Sequence, residues 1–310
     1  MTAVLALVTA LAFHPGGKLL VSGGYKQVLV WDLASGKLAR RIGELPGQVR
    51  ALAFSPDGRT LAVALGVPGR AGAVALVDFD TGAATTLVEI KDEMLAVDLS
   101  PDGRFLAAGG TDSVVRVWSM ADRQPAATLK EHTDWISGVA FSPDSKLLAT
   151  GSADKTVRLW DTATWKQTLQ LPQTLTEVVT GVAFAPEGDM LAYTVNGPEE
   201  RAIRVWRPGN ANAPALTRPF DMGTCLPLAV TFEPQPTHSR MVVACTDKTV
   251  RVVGPGGNVL NTLTGHSDWV YAVAASPDGQ RFASGSGDGS VKVWAAAGKL
   301  LNTLTAEAQP

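Results

Sequence analysis

A proline-centred turn recurs along this chain at nearly constant spacing, and no other feature restricts the fold so severely. The residue before each turn is Phe13, Phe54, Leu99, Phe141, Phe184, Phe232 or Ala275, at intervals of 41, 45, 42, 43, 48 and 43 residues. Three turns read Ser-Pro-Asp-Gly (from Ser55, Ser100 and Ser276), and His14-Pro15-Gly16-Gly17, Ser142-Pro143-Asp144-Ser145, Ala185-Pro186-Glu187-Gly188 and Glu233-Pro234-Gln235-Pro236 are looser versions. Proline presets φ at the start of such a turn, and glycine supplies the positive φ that closes it. Before each turn, apolar and polar residues alternate as they do from Ile136 to Phe141, the period-two pattern of a half-buried strand.

Two further strands follow in every unit. The third ends at Trp31, Val77, Trp118, Trp160, Trp206, Val253 or Trp294, and a fourth is predicted over 37–42, 83–90, 126–130, 166–171, 215–220, 259–264 and 299–305. Each unit is therefore expected to be a four-stranded antiparallel sheet. One such sheet cannot bury both faces, but seven packed radially cover one another. A period of 40 to 45 residues with strand-type alternation is the signature of propeller blades. The predicted fold is all-β: a seven-bladed β-propeller filling 1–310, with blades near 8–43, 48–90, 94–131, 135–172, 178–220, 227–264 and 269–305.

Charge and composition narrow the function. The formal net charge is -2, with lysines and arginines scattered, so nucleic acid and anionic membranes are not expected partners. No apolar run approaches the roughly 20 residues that span a bilayer. The apolar start of the chain lacks a positively charged leader region, and 8–13 falls in the register of a first strand, so a soluble protein is expected. Cys225 and Cys245 are too few for a disulfide framework and form no Cys-x-x-Cys pair. They fall at one end of blade 6, where a disulfide is within reach, but buried free thiols are the expectation, together with a cytoplasmic location.

The recurring Ser-Pro-Asp-Gly turns, Gly265-His266 and Trp160-Asp161 resemble the WD-repeat β-propeller family over essentially the whole chain, in the style of bacterial tandem WD repeats. The resemblance implies a rigid platform for protein–protein contacts, usually without catalysis. Departures include Val77 in place of tryptophan and longer connections over 66–72, 196–201 and 234–239. In the family the N-terminus often supplies the outer strand of the last blade, whereas here 299–305 takes that place. The joint between blades 1 and 7 is thus expected to rest on face packing alone and to be the weakest; the alternative is that the chain is one module cut from a longer protein.

One constellation imitates an active site. Thr150, Asp154 and Trp160 follow His132 by 18, 22 and 28 residues, and Ser284, Asp288 and Trp294 follow His266 at the same spacings. Hydroxyl, imidazole and carboxylate suggest a nucleophilic triad. The pattern occurs twice, however, its hydroxyl is within reach of an indole N–H, and no nucleophile elbow accompanies it. It is read as a structural hydrogen-bond network, which is also the family's known one. Val4, Leu45, Ile90, Leu175 and Gly223 stand at the histidine position of the other blades, and blade 3 keeps only Asp112 and Trp118. The four histidines share no metal-ligand spacing, and no glycine-rich loop precedes a helix, so no catalytic residue, metal or cofactor is assigned.

Partner contacts are expected where the loop into each innermost strand emerges. Six positions before the anchors stand Leu7, Gln48, Glu93, Trp135, Val178, Leu226 and Trp269, and Arg50 lies nearby as a bidentate donor for a carboxylate. Tryptophan is enriched at interface hot spots, so Trp135 and Trp269 are the leading candidates, although the same rings could simply cover the histidine networks. Gln48, Arg50, Glu93, Val178 and Leu226 complete the candidate surface. The reading is a monomeric, non-catalytic scaffold for a protein or peptide. The alternatives are a regulatory or sensory propeller module of a larger bacterial protein, and a small-molecule binder or enzyme using the channel mouth.

Overall fold

In the computed structural model, which describes residues 7–171, 176–207, 219–234 and 240–306, the innermost strands are Ala10–Phe13, Gln48–Phe54, Met94–Leu99, Ile136–Phe141, Val178–Phe184, Pro227–Phe232 and Val270–Ala275. Each ends on its predicted anchor. Every blade is a four-stranded antiparallel sheet in sequence order. Blade 4 serves as the pattern, with strands Ile136–Phe141, Leu147–Ser152, Val157–Asp161 and Gln167–Leu171. In blade 5 the described outer strand is Phe220–Asp221, and most of the span predicted for it, like Val4, Leu175, His238 and part of 234–239, lies outside the described residues.

The turns form as their composition dictates. In blade 4, Ser142 Oγ donates to Asp144 Oδ1 at 2.7 Å and accepts the Leu147 N–H at 2.9 Å, which ties both ends of the turn to one side chain. Gly58, Gly103 and Gly279 take positive φ at the closing position, and Ser145 does so in blade 4 at 60°. That conformation is unfavourable for serine, and two bonds hold it: Ser145 Oγ accepts the Asp102 N–H of blade 3 at 3.1 Å, and its carbonyl accepts from Thr162 Oγ1 at 2.7 Å.

Seven apolar clusters fill the seven blade-to-blade interfaces. Between blades 3 and 4, for example, Val115, Val117 and Leu129 pack on Ile136, Leu148 and Trp160. Burying each such side chain contributes about 1.5–3 kcal/mol, so interface burial dominates the cohesion of the disc. The close approach needs small residues on the second strand. A Cβ on Gly23, Gly109, Gly151 or Gly285 would lie 2.3–2.7 Å from Val49, Ile136, Val179 or Val8 of the following blade.

Gly285 belongs to that set, so blade 7 meets blade 1 as the other blades meet their neighbours. Val8, Leu11, Phe13 and Trp31 pack on Ala272, Val291, Val293 and Leu304 across this joint. The Val8 N–H also donates to Ser286 O at 3.1 Å, matching Val49 N–H to Gly24 O at 3.1 Å between blades 1 and 2. The outer strand of blade 7 is Leu300–Thr305, from the C-terminal end as expected. The joint therefore holds a main-chain hydrogen bond as well as its packed face.

Candidate functional site on the loop-bearing face

The two predicted networks form. In blade 4, Trp160 Nε1–H donates to Thr150 Oγ1 at 3.0 Å, Thr150 Oγ1 lies 2.7 Å from His132 Nε2, and His132 Nδ1 lies 2.7 Å from Asp154 Oδ2. Blade 7 repeats this: Trp294 to Ser284 at 2.9 Å, Ser284 to His266 at 2.8 Å, and His266 to Asp288 at 3.0 Å. A neutral imidazole with its proton on Nδ1 satisfies the whole chain: indole to hydroxyl, hydroxyl to Nε2, Nδ1–H to carboxylate. Thr150 and Ser284 are fully buried, so no substrate carbon can reach either hydroxyl, and each oxygen is already engaged.

The carboxylates are held ionised. Burial alone would raise the pKa of Asp154, but hydrogen bonds from His132 and Thr156 and the backbone N–H of Thr133 outweigh it and hold the group well below the ordinary carboxylate range. Asp288 behaves likewise, with burial overcome by Ser290, Ser267 and His266. Burial lowers the pKa of His266 despite the opposing pull of Asp288, which favours the neutral imidazole the network needs.

The other blades use different fastenings at this place. Blade 1 keeps half the network, since Trp31 Nε1–H donates to the buried Ser22 Oγ at 2.8 Å. The serine lies nine residues before its tryptophan rather than ten, so a search at fixed spacing passes over it. Where histidine is missing from blades 3, 5 and 6, the turn acid takes an arginine from the third strand instead: Asp112–Arg116 at 2.6 Å, Glu200–Arg204 at 2.7 Å and Asp247–Arg251 at 2.6 Å. In blade 2, Leu45 occupies the histidine position and Val77 the tryptophan position. A cavity of about 140 Å³ lies nearby, lined by Pro46, Gly47, Leu65, Gly66 and Ala73 among others.

Blade 6 departs from expectation. Cys225 and Cys245 are joined in a disulfide, both fully buried, with their Cα atoms 5.4 Å apart. The expected free thiols are thus corrected. The reason is positional: Cys225 and Cys245 stand where blade 4 has Asp134 and Ser152 and blade 7 has Asp268 and Ser286. There Ser152 Oγ donates to Asp134 O, and Ser286 Oγ to Asp268 O, both at 3.0 Å. Those bonds fasten the incoming loop to the second strand, and in blade 6 a covalent bond spans the same gap.

Around the channel a feature emerges that the sequence does not announce. The innermost strands of blades 2 to 7 each carry a bulge that skips one residue: Arg50, Leu95, Ser137, Thr180, Leu228 and Tyr271. A bulge re-aims its side chain, and several of these side chains reach the next blade. Ser137 Oγ donates to Val179 O, and Thr180 Oγ1 to Pro227 O. Thr9 of blade 1 donates likewise to Val49 O. Arg50 meets Glu93 of blade 3, its Nε–H donating to Oε1 at 2.7 Å and its Nη2 to the same oxygen. The seven innermost strands enclose a channel of about 310 Å³.

Of the rim residues, Gln48, Glu93, Val178 and Leu226 are half-buried, and Gln48 Nε2–H donates to Thr9 Oγ1 at 2.9 Å. Leu7, Trp135 and Trp269 stand out from the face, with Trp135 54% and Trp269 47% exposed. The tryptophans belong to blades 4 and 7, so they sit on opposite sides of the channel. The structure brings Arg50 and Glu93 together and leaves Trp135 and Trp269 free of both.

A ring of seven rigid sheets with its polar networks sealed inside presents a surface, and this makes the molecule a propeller of the repeat class. The chain belongs to the WD-repeat family: residues 5–32, 39–67, 86–119, 123–161 and 257–295, more than half its length, match the family described as "WD domain, G-beta repeat". It is similar to the target of rapamycin complex subunit wat1 of Schizosaccharomyces pombe, at 35% identity over 33% of this chain and 32% of that protein. Similarity extends to the small ribosomal subunit protein RACK1 of the same yeast, at 30% identity over 36% of this chain and 38% of that protein. The transcription factor unc-37 of Caenorhabditis elegans is 32% identical over 36% of this chain and 18% of its own length. The matched stretches span well under half of each of these relatives.

Proposed function

We propose that this protein is a non-catalytic scaffold that takes a protein or peptide partner on its loop-bearing face, with Trp135 and Trp269 as the principal contacts. One observation carries the reading: two large aromatic rings stand roughly half exposed at equivalent rim positions, each on an incoming loop fastened to its blade by a buried histidine network and a serine bond. Large rings held on a pre-ordered backbone lose little entropy on docking, which favours tight contact. The names of two relatives, a complex subunit and a ribosomal subunit protein, are consistent with work inside assemblies.

The test is a double substitution, Trp135→Ala with Trp269→Ala, assayed by affinity purification from the native source and by melting. Loss of captured partners at an unchanged melting temperature is the expected result. Retained partners with a lowered melting temperature would mean that the rings serve as covers for the networks. A role as one module of a longer protein is supported by unc-37, of which the matched part is 18%. The buried disulfide favours an oxidising compartment over the cytoplasm that cysteine count alone suggests. Among the described residues no helix is long and apolar enough to cross a membrane.

A further inference from the structure

We propose that the corner formed by Asp268, Trp269 and Tyr271 is a receptor for a basic side chain, lysine or arginine, of the protein partner. This rests on the docking face argued above and specifies the chemistry of what docks there. At this corner the exposed Trp269 ring stands beside the half-buried Tyr271 ring. The ring centroids of Trp269 and Tyr271 are 6.2 Å apart with planes inclined at 49°, a wedge rather than a stack. Tyr271 reaches the wedge because it is the residue skipped by the bulge of blade 7. The exposed Leu7 lies at its edge, where a Cβ on Gly287 would meet both the Leu7 and Asp268 side chains.

A carboxylate completes the corner. Asp268 Oδ1 accepts the Trp269 N–H at 2.7 Å, and Oδ2 has no hydrogen bond or ion pair among the described residues. Burial and the Asp268 charge together raise the phenol pKa of Tyr271, as expected for a carboxylate beside that ring. A lysine or arginine entering the wedge would gain both a cation–π contact and a charge-assisted hydrogen bond.

The surrounding charge fits a basic visitor. The residues just before the rim positions include Asp92, Asp134, Glu177 and Asp268, and none of these four has a salt bridge among the described residues. Arg50, the one cation at a bulge position, is already neutralised by Glu93. Lys155 is directed to a carbonyl, that of Thr176. Blade 4 provides an internal comparison: Asp134 and Trp135 repeat the acid and the indole, but Ser137 at its bulge turns to Val179 O and offers no second wall. Blade 4 therefore binds the same group more weakly.

Acetylated tetra-arginine and tetra-lysine peptides, with tetra-glutamate as control, are titrated into the full chain while the indole N–H resonances are followed by NMR. The basic peptides are expected to move the Trp269 resonance more than that of Trp135. Asp268→Asn keeps the bond to the Trp269 N–H while removing the charge, and Tyr271→Leu removes one wall; each should weaken binding about three- to fivefold. Asp122→Asn, an equal charge change on the opposite face, should leave it unaltered. Equal binding of tetra-glutamate, or unaltered affinity in Asp268→Asn, overturns the proposal, and the latter variant decides the matter should Tyr271→Leu fold poorly. If native partners are kept by Asp268→Asn but lost by the double tryptophan variant, the docking face stands and the basic chemistry fails. Partners kept by both variants mean that the docking face itself fails.

Discussion

Blades 4 and 6 present the same backbone task, that of holding an incoming loop against the end of the second strand, and they solve it with different bonds. Blade 4 uses Ser152 Oγ to Asp134 O, backed by His132 and Asp154. Blade 6 uses the Cys225–Cys245 disulfide, with Asp247 turned to Arg251. A hydrogen-bond network loses its value when one partner is protonated or cut away, whereas a covalent link is indifferent to pH and sensitive to reductant. The same position can thus be tuned to different solution conditions without altering the fold.

The largest way to break the comparison is on the covalent side. Cys225→Ser with Cys245→Ser should cost about 2–5 kcal/mol of stability, read by denaturant unfolding, and reductant should lower the wild-type midpoint without affecting the double variant. On the network side, His132→Ala leaves the Thr150 hydroxyl and the Asp154 carboxylate without their partner and should cost about 1–3 kcal/mol. An unchanged unfolding midpoint would show that the network is dispensable.

Acid next separates the hydrogen-bonded blades 4 and 7 from the disulfide-linked blade 6. Because the folded pKa of His266 lies below its ordinary 6.5, the unfolded chain binds the proton more readily, so stability falls as pH drops through that value. Asp154 and Asp288 are also depressed, from 3.8, so their contribution is present above that value and is lost as pH falls further. Melting compared between wild type and His266→Gln from pH 8 to pH 2 should isolate the upper step as a difference between the two curves, because Asp98, its pKa pushed up by burial to about 7, acts in the opposite sense over the same range. The smallest effect is expected from Ser152→Ala, about 0.5–1.5 kcal/mol, which sharpens how much of the fastening in blade 4 belongs to the serine. Hydrogen exchange of the loop at Asp134 would localise it.

The comparison also marks where sequence reasoning reached and where it stopped. The anchors were legible because a proline turn and a period-two pattern are local, and all seven innermost strands end on them. The networks were legible because His132 and His266 recur at fixed spacings. The disulfide was misjudged because two cysteines carry no pairing information until aligned with Asp134 and Ser152 of another blade. Bulges leave no common signature: Arg50, Leu95, Ser137, Thr180, Leu228 and Tyr271 share a position but no one residue type. Consequently Arg50 was legible as a carboxylate binder, but not that its carboxylate is Glu93 of the same chain.

The sheet order has a consequence for how the disc assembles. Each described sheet is built from strands in unbroken sequence order, with no strand exchanged between blades. During synthesis each blade can complete its own hydrogen-bond ladder before the next is made, and each new blade finds a finished face to pack against. Only the last joint, Val8 against Gly285 and Ser286, must wait until blades 1 and 7 have both been made. Until then the molecule is an open arc with one apolar face of blade 1 uncovered, and that arc is the form most vulnerable to association with its own kind.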